Sequence, residues 1–302
     1  MSINAYNKSG FPCSIYHLPP KQEYDDSENP LYIFIPGNPG LLEFYVDFLT
    51  LIQEKKPEWE ILGISHAGMN SCDTIECPVY SLEEQIQHNV NVIKSFSSEK
   101  RQLIIMGHSI GAFIAQKVAM HEDLEGRVIQ VGLLTPTVID IHLSEKGTKL
   151  TLINKWCPNF HAYVALLSWI FFEKLLPVSA TRWIVSTFVD KLKTRMGAAV
   201  LVLLTNSRFV LQALGLAAQE MKLVRSNWEF QRKFVGMCNS ENISIWMLFS
   251  KSDHWVSDKT RQDLIDFYED NCSSKNLEID ISELIEHAFV RKHTEIVIDK
   301  YF

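Results

Sequence analysis

The sequence predicts an α/β protein, a mostly parallel β-sheet with helices on both faces and an apolar helical cap inserted into it. Two observations carry this. From residue 31 to 136, and again from 241 to 302, short apolar runs alternate with segments of helical period. Strands separated by helices pair in parallel, and the helices then cover both faces of the sheet. Between 137 and 240 the strand runs stop and strongly apolar helical patterns take over. The expected division is a first core part at 1–136, a helical cap or lipid-surface insertion at 137–240, and a second core part at 241–302.

In chain order, LYIFI (31–35) is the first apolar run, and it stops at Pro36-Gly37-Asn38-Pro39-Gly40. Leu42, Tyr45, Phe48, Leu49 and Ile52 recur at helical spacing through 41–56, and WEILGIS (59–65) reads as a strand. SLEEQIQHNVNVIKSF (81–96) opens on a serine cap and continues as an amphipathic helix. LIIM (103–106) is a buried strand, and Ala112, Phe113, Ala115 and Ala119 place a helix directly after it. VIQVGLLTP (128–136), ISIWMLFS (243–250) and LEIDI (277–281) are further strands, with helices at 259–271 and 288–302.

Composition narrows the function classes. The chain has 302 residues, 46% hydrophobic and 22% charged, enough apolar material for a large core. A net charge of −7 and the absence of a basic, aromatic-interleaved stripe argue against nucleic acid as a partner. Six scattered cysteines (Cys13, Cys72, Cys77, Cys157, Cys238, Cys272) lack metal-ligand spacing and imply reduced thiols. No secretory or lipidation signal is expected, and neither a metal nor another cofactor is called for.

The sharpest local signal is Gly107-His108-Ser109-Ile110-Gly111, at the junction of a buried strand and an Ala-rich helix. Flanking glycines leave room for a tight turn that lifts the Ser109 hydroxyl above the sheet edge. The Ile110 amide, at the helix start, can donate to a tetrahedral oxyanion. The turn after LYIFI supplies a second donor, for which the Asn38 amide is the candidate.

A serine hydroxyl needs a neutral histidine to take its proton and a carboxylate to orient that histidine. Chain order on such a sheet is Ser, acid, His, with the last two on loops after late strands. Asp253 lies just past ISIWMLFS and His287 just past LEIDI, so they are the expected acid and base. Asp258 and Glu283 compete for the acid role, and Asp258 has a helix-cap alternative. His254 adjoins the acid too closely to serve as base. His108, within the turn, is expected to face away from the base. His66 and His108 are assigned to the substrate pocket.

Together these residues resemble the lipid-droplet-associated hydrolase family, a branch of the α/β-hydrolase fold. The resemblance rests on IFIPGNPG (33–40) with Phe44-Tyr45, on Ser65-His66-Ala67-Gly68, on the Ser109 turn, on Asp253-His254-Trp255 and on His287-Ala288-Phe289. It implies Ser109 as nucleophile, Asp253 as acid and His287 as base. It also implies activity toward neutral lipid esters, triacylglycerol or sterol ester, and residence on lipid droplets with a cytosolic or endoplasmic-reticulum-associated pool. In one departure, Ile285-Glu286 precede the histidine where the family pattern has Ile-Pro.

AYVALLSWIFF (162–172) carries no charge and ends before Glu173, Lys174 and Pro177. It is too short to span a bilayer, which takes about 20 residues. As a helix–proline–helix hairpin it can enter a phospholipid monolayer from one side, with Trp169, Phe171 and Phe172 as contacts. A cap helix over an acyl pocket is the other reading. Three functions fit: a serine esterase working through an acyl-enzyme, a droplet-surface scaffold with little hydrolysis, and an acyltransferase using the same three residues.

Overall fold

The sheet follows from which runs are apolar on both sides. In a computed structural model, which describes residues 2–21, 29–73, 75–188 and 195–302, eight strands form one sheet in the order β1-β2-β4-β3-β5-β6-β7-β8. β1 (Asn4–Tyr6) and β2 (Cys13–Leu18) pair antiparallel at one edge. β3 (Leu31–Ile35), β4 (Glu60–Ile64), β5 (Leu103–His108), β6 (Val128–Leu134), β7 (Ser244–Ser250) and β8 (Leu277–Ser282) pair in parallel. These two strands were not anticipated: β1 is three residues long, and β2 is interrupted by Ser14 and His17, so neither shows an apolar run.

Period two separates the two faces of the sheet. Ile33, Ile35, Leu103 and Ile105 join one apolar cluster, while Tyr32, Phe34, Ile104 and Met106 join the other. The second face is covered by α1 (Val46–Lys55), after a single 3-10 turn at Leu42–Phe44. The first is covered by α2 (Leu82–Phe96) and α3 (Ile110–Ala119). α2 starts with a capping box, in which the Ser81 side chain accepts from the Glu84 amide and the Glu84 carboxylate accepts from the Ser81 amide.

Between β6 and β7 run α4 (Glu145–Trp156), α5 (Phe160–Ser168), a π-helical turn at Trp169–Leu175, α6 (Val178–Phe188), α7 (Arg195–Leu204), α8 (Ser207–Leu223) and α9 (Trp228–Glu241). The sequence reading groups all of 137–240 as insertion, but α9 packs with the sheet. Its Phe234, Val235 and Cys238 sit in the first-face cluster beside Leu264 and Tyr268 of α10 (Asp258–Asn271). A buried polar trio locks this arrangement: the Tyr268 hydroxyl donates to Gln231 and accepts from Gln116, both at 2.6 Å. The expected closing helix at 288–302 is a 3-10 turn (Phe289–Arg291) and then α11 (Thr294–Tyr301), which packs beside α1 on the second face.

Among the described residues no single helix is long and apolar enough to cross a membrane. α7 and α8 would reach that length only together, and they meet at 90°.

Candidate active site

Ser109 stands at the carboxyl end of β5 with φ 55° and ψ −122°, a conformation rarely adopted outside glycine. The neighbouring glycines make this turn possible. A Cβ at Gly107 would lie 2.1 Å from the Gly111 carbonyl oxygen, and one at Gly111 would lie 2.3 Å from that of Ile35. The bend therefore requires glycine at both positions.

Asp253, three residues past β7, and His287, five past β8, reach the same point. His287 Nε2 is 2.9 Å from Ser109 Oγ, and His287 Nδ1 is 2.8 Å from Asp253 Oδ2. The amides of Trp255 (2.7 Å) and Val256 (3.1 Å) donate to Asp253 Oδ1. Burial alone would raise the Asp253 pKa, but the His287 ring and these two amides outweigh it and hold the carboxyl below the usual range. An ionised carboxylate fixes the His287 tautomer with Nδ1–H toward Asp253, leaving Nε2 free to accept the serine proton. The rivals are occupied elsewhere: Glu283 pairs with Lys251, His254 with Glu145, and Asp258 with Arg261, while Ser257 caps α10.

The turn 36–40 lies against the serine, since a Cβ at Gly37 would be 2.9 Å from Ser109 Cβ. Among the described residues the amides of Asn38 and Ile110 have no acceptor within the protein, which leaves both free to donate to an oxyanion beside Ser109. The Asn38 side chain reaches away, donating to the Ala213 carbonyl and to Glu220 Oε1, both at 2.9 Å and both on α8.

This arrangement is matched by sequence. A family model described as "Lipid-droplet associated hydrolase" matches residues 28–290. The chain belongs to the lipid-droplet associated hydrolase family. It is 24% identical over 284 residues to the lipid droplet-associated hydrolase of Drosophila melanogaster, covering 89% of this chain and 86% of that one. It is 28% identical over 276 residues to that of Mus musculus, covering 83% and 78%. Among solved structures it resembles the thioesterase domain from the curacin biosynthetic pathway (TM-score 0.63, 12% identity, 99% and 98% covered). It also resembles the haloalkane dehalogenase DatA from Agrobacterium tumefaciens (TM-score 0.64, 13% identity, 99% and 94% covered). At such identities the likeness shows the fold, the α/β-hydrolase fold. The lipid-droplet associated hydrolases are enzymes, and this member is a hydrolase.

In this family member Ser109 and His287 open onto a cavity of about 630 Å³, walled by Ile153 of α4, Val200 and Leu203 of α7, and Leu214, Ala217 and Met221 of α8. It is within the size range of small-molecule ligand pockets, and mostly apolar.

Two sequence assignments need correction. His66 does not line the cavity. It is wholly buried beneath the 36–40 turn, its Nε2 donating to the Pro36 carbonyl at 2.9 Å and its ring filling the space a Cβ at Gly40 would need. Burial lowers its pKa to about 4, against the partial offset of that hydrogen bond, so it is a neutral buttress. His108 borders the cavity but is almost fully buried, with both nitrogens engaged. Contrary to expectation it faces the base, its Nε2 donating to the His287 carbonyl at 2.8 Å, while the Tyr45 hydroxyl donates to its Nδ1 at 2.7 Å. Burial, and then the neighbouring His287, push its pKa down to about 3, keeping this donor arrangement uncharged.

The roles of four residues went unread in the sequence. Tyr45 accepts from the Gly37 amide at 3.1 Å and so ties the 36–40 turn to His108. Thr135 Oγ1 donates to the His287 carbonyl at 3.1 Å, and Ser250 Oγ to the Ile285 carbonyl at 2.7 Å. Glu220 is a buried carboxyl in the cavity wall. Two of them share a signal with His108: Thr135 and Ser250 sit at or just past the carboxyl ends of adjacent parallel strands, where ligands bind in such sheets, whereas Tyr45 and Glu220 carry no such signal.

Proposed function

We propose that the chain is a serine ester hydrolase that cleaves long-chain neutral lipid esters at a lipid-droplet surface through an acyl-enzyme. The observation that carries this reading is the 2.9 Å contact between Ser109 Oγ and His287 Nε2, backed by Asp253 and facing an apolar cavity.

Ser109 Oγ attacks the ester carbonyl as its proton passes to His287 Nε2. The tetrahedral oxyanion accepts hydrogen bonds from the Asn38 and Ile110 amides. Collapse breaks the bond to the alcohol oxygen, which takes the proton from His287 and leaves the acyl group on Ser109. His287 then deprotonates a water, whose attack releases the carboxylic acid and restores the serine. Asp253 stabilises the imidazolium in both halves of the cycle.

The surface reading draws on exposed apolar side chains within residues 156–183: Trp156 is 83% exposed, Trp183 71%, Leu175 65% and Tyr163 59%. Trp169 and Phe171 are also exposed, and Phe172 is half-buried. So much large apolar surface in one segment is unusual for a water-facing helix pair and suits a monolayer interface rich in tryptophan. The relatives' shared name, lipid droplet-associated hydrolase, agrees with such a partner.

The test is labelling of purified protein by a fluorophosphonate probe, with triacylglycerol and sterol ester emulsions as competitors. Wild type labels and is protected by at least one of the esters. Full labelling of Ser109→Ala would remove the serine from the mechanism.

A further inference from the structure

The carboxyl of Glu220 is unexplained by the reaction above. It projects from α8 into the wall of the cavity that holds Ser109 and is only 4% exposed. Its Oε1 accepts from Asn38 Nδ2 at 2.9 Å, one residue's side chain beyond the oxyanion turn. Among the described residues its Oε2 has no protein partner, and it is not among the polar atoms sealed away from solvent. Among the described residues no cation pairs with it: Lys149 pairs with Glu145, Lys146 lies over the Trp255 ring, and no ion pair links Glu220 to Arg291. A polar group in an apolar wall costs stability unless something bonds to it.

We propose that Glu220 Oε2 is a subsite for a free hydroxyl of the substrate, so that the enzyme prefers neutral lipid esters bearing an unesterified hydroxyl over fully capped ones. This rests on the serine-hydrolase reading of the same cavity and narrows its substrate class.

The chemistry selects a hydroxyl for a specific reason. Burial pushes the Glu220 pKa up to about 7, against the partial offset of the Asn38 hydrogen bond, so acid and carboxylate are both populated near neutrality. A hydroxyl serves either form, donating to the carboxylate and accepting from the acid. An ether or ester oxygen only accepts. It can meet the acid form, but it leaves a carboxylate buried and unpaired. Sites built to bond a hydroxyl reject the analogue lacking it for this reason. Because Asn38 joins Glu220 to the oxyanion turn, the favoured hydroxyl is one borne near the scissile ester, as in a partially acylated polyol.

The experiment compares kcat/KM of the full-length protein on 1,2-dioctanoylglycerol and on its 3-O-methyl ether at pH 6 and pH 8, with fluorophosphonate labelling in parallel. The expected preference for the free hydroxyl is about tenfold or more at pH 8 and smaller at pH 6, where the acid form can donate to the ether oxygen. The ratio of the two esters is read rather than either rate, because His108, His287, Lys146, Lys149 and Arg291 line the same cavity and are common to both reactions. Glu220→Gln, which donates and accepts at every pH, should keep a small preference that no longer varies with pH, and Glu220→Leu should abolish it. Equal kcat/KM for the two esters in wild type at pH 8 overturns the inference, as does an undiminished pH dependence in Glu220→Gln. Labelling of Ser109 without any preference refutes the subsite alone, whereas cleavage by Ser109→Ala refutes the hydrolase reading and the subsite with it.

Discussion

The imidazole of His108 donates a hydrogen bond to the backbone carbonyl of His287 over 2.8 Å, so the residue preceding the proposed nucleophile holds the proposed base in place. Its other nitrogen accepts from Tyr45, which in turn accepts from Gly37 of the oxyanion turn. Ser109, His287 and the 36–40 turn, the proposed nucleophile, base and oxyanion loop, thus share one hydrogen-bonded frame. Removing the donor with His108→Leu should lower kcat about 10²-fold with little change in KM, because misplacing the base by an ångström costs that much. His108→Gln, whose amide can still donate, should recover much of the loss. A change confined to KM would contradict the positioning role.

Asp253→Asn keeps an oxygen for the Trp255 and Val256 amides but presents an amide N–H to His287 Nδ1. The histidine must then carry its proton on Nε2, where it cannot accept from Ser109. Steady-state kinetics should show kcat reduced by about 10⁴-fold with thermal stability nearly unchanged.

The bend at Ser109 predicts a contrast between glycines. Gly111→Ala forces a methyl group onto the Ile35 carbonyl oxygen and should destabilise by about 3 kcal/mol or more, or prevent folding. Gly236→Ala, in α9 with open space around it, should instead raise stability by about 0.5–1 kcal/mol. Thermal unfolding of the two variants decides the matter, and a Gly111→Ala protein as stable as wild type would exclude the close approach.

Glu220 links stability to pH. Its folded-state pKa of about 7 lies above the ordinary 4.5, so between these values the native protein binds a proton that the unfolded chain has released. Its contribution is fully present below pH 4.5 and is lost as pH rises through 7, a swing of roughly 3 kcal/mol. Glu220→Gln removes the titration. Urea unfolding should therefore find the variant gaining on wild type as pH goes from 5 to 8.

The exposed indoles are open to a direct check. Trp156→Ser with Trp183→Ser should weaken flotation with phospholipid-coated triacylglycerol emulsions at least tenfold while leaving fluorophosphonate labelling intact. Unchanged flotation would assign these side chains to some other contact.

Much of this site can be read from sequence because its parts carry strong local constraints. Gly107 and Gly111 are demanded by one backbone bend, and Asp253 and His287 follow apolar runs that end at the same sheet edge. What escapes is whatever depends on distant packing. β1 is too short to show a run and β2 is broken by Ser14 and His17, so their antiparallel pairing beside β4 is invisible locally, and α9 looks like cap because its period does not say which surface it covers. His66 belongs to a recognisable motif, yet only the fold reveals that it lies beneath the turn rather than beside the substrate. Glu220 sits among ordinary helix residues, and nothing local marks it as buried.

The loop that delivers the base has no proline to stiffen it. It is held by Ser250 on Ile285, and by Thr135 and His108 on His287, three side chains from the ends of β7, β6 and β5. Those strands must stand side by side before the imidazole has a fixed address. The imidazole is thus anchored by the neighbouring strands rather than by its own loop, so loosening any one of them would be felt at the Ser109 hydroxyl.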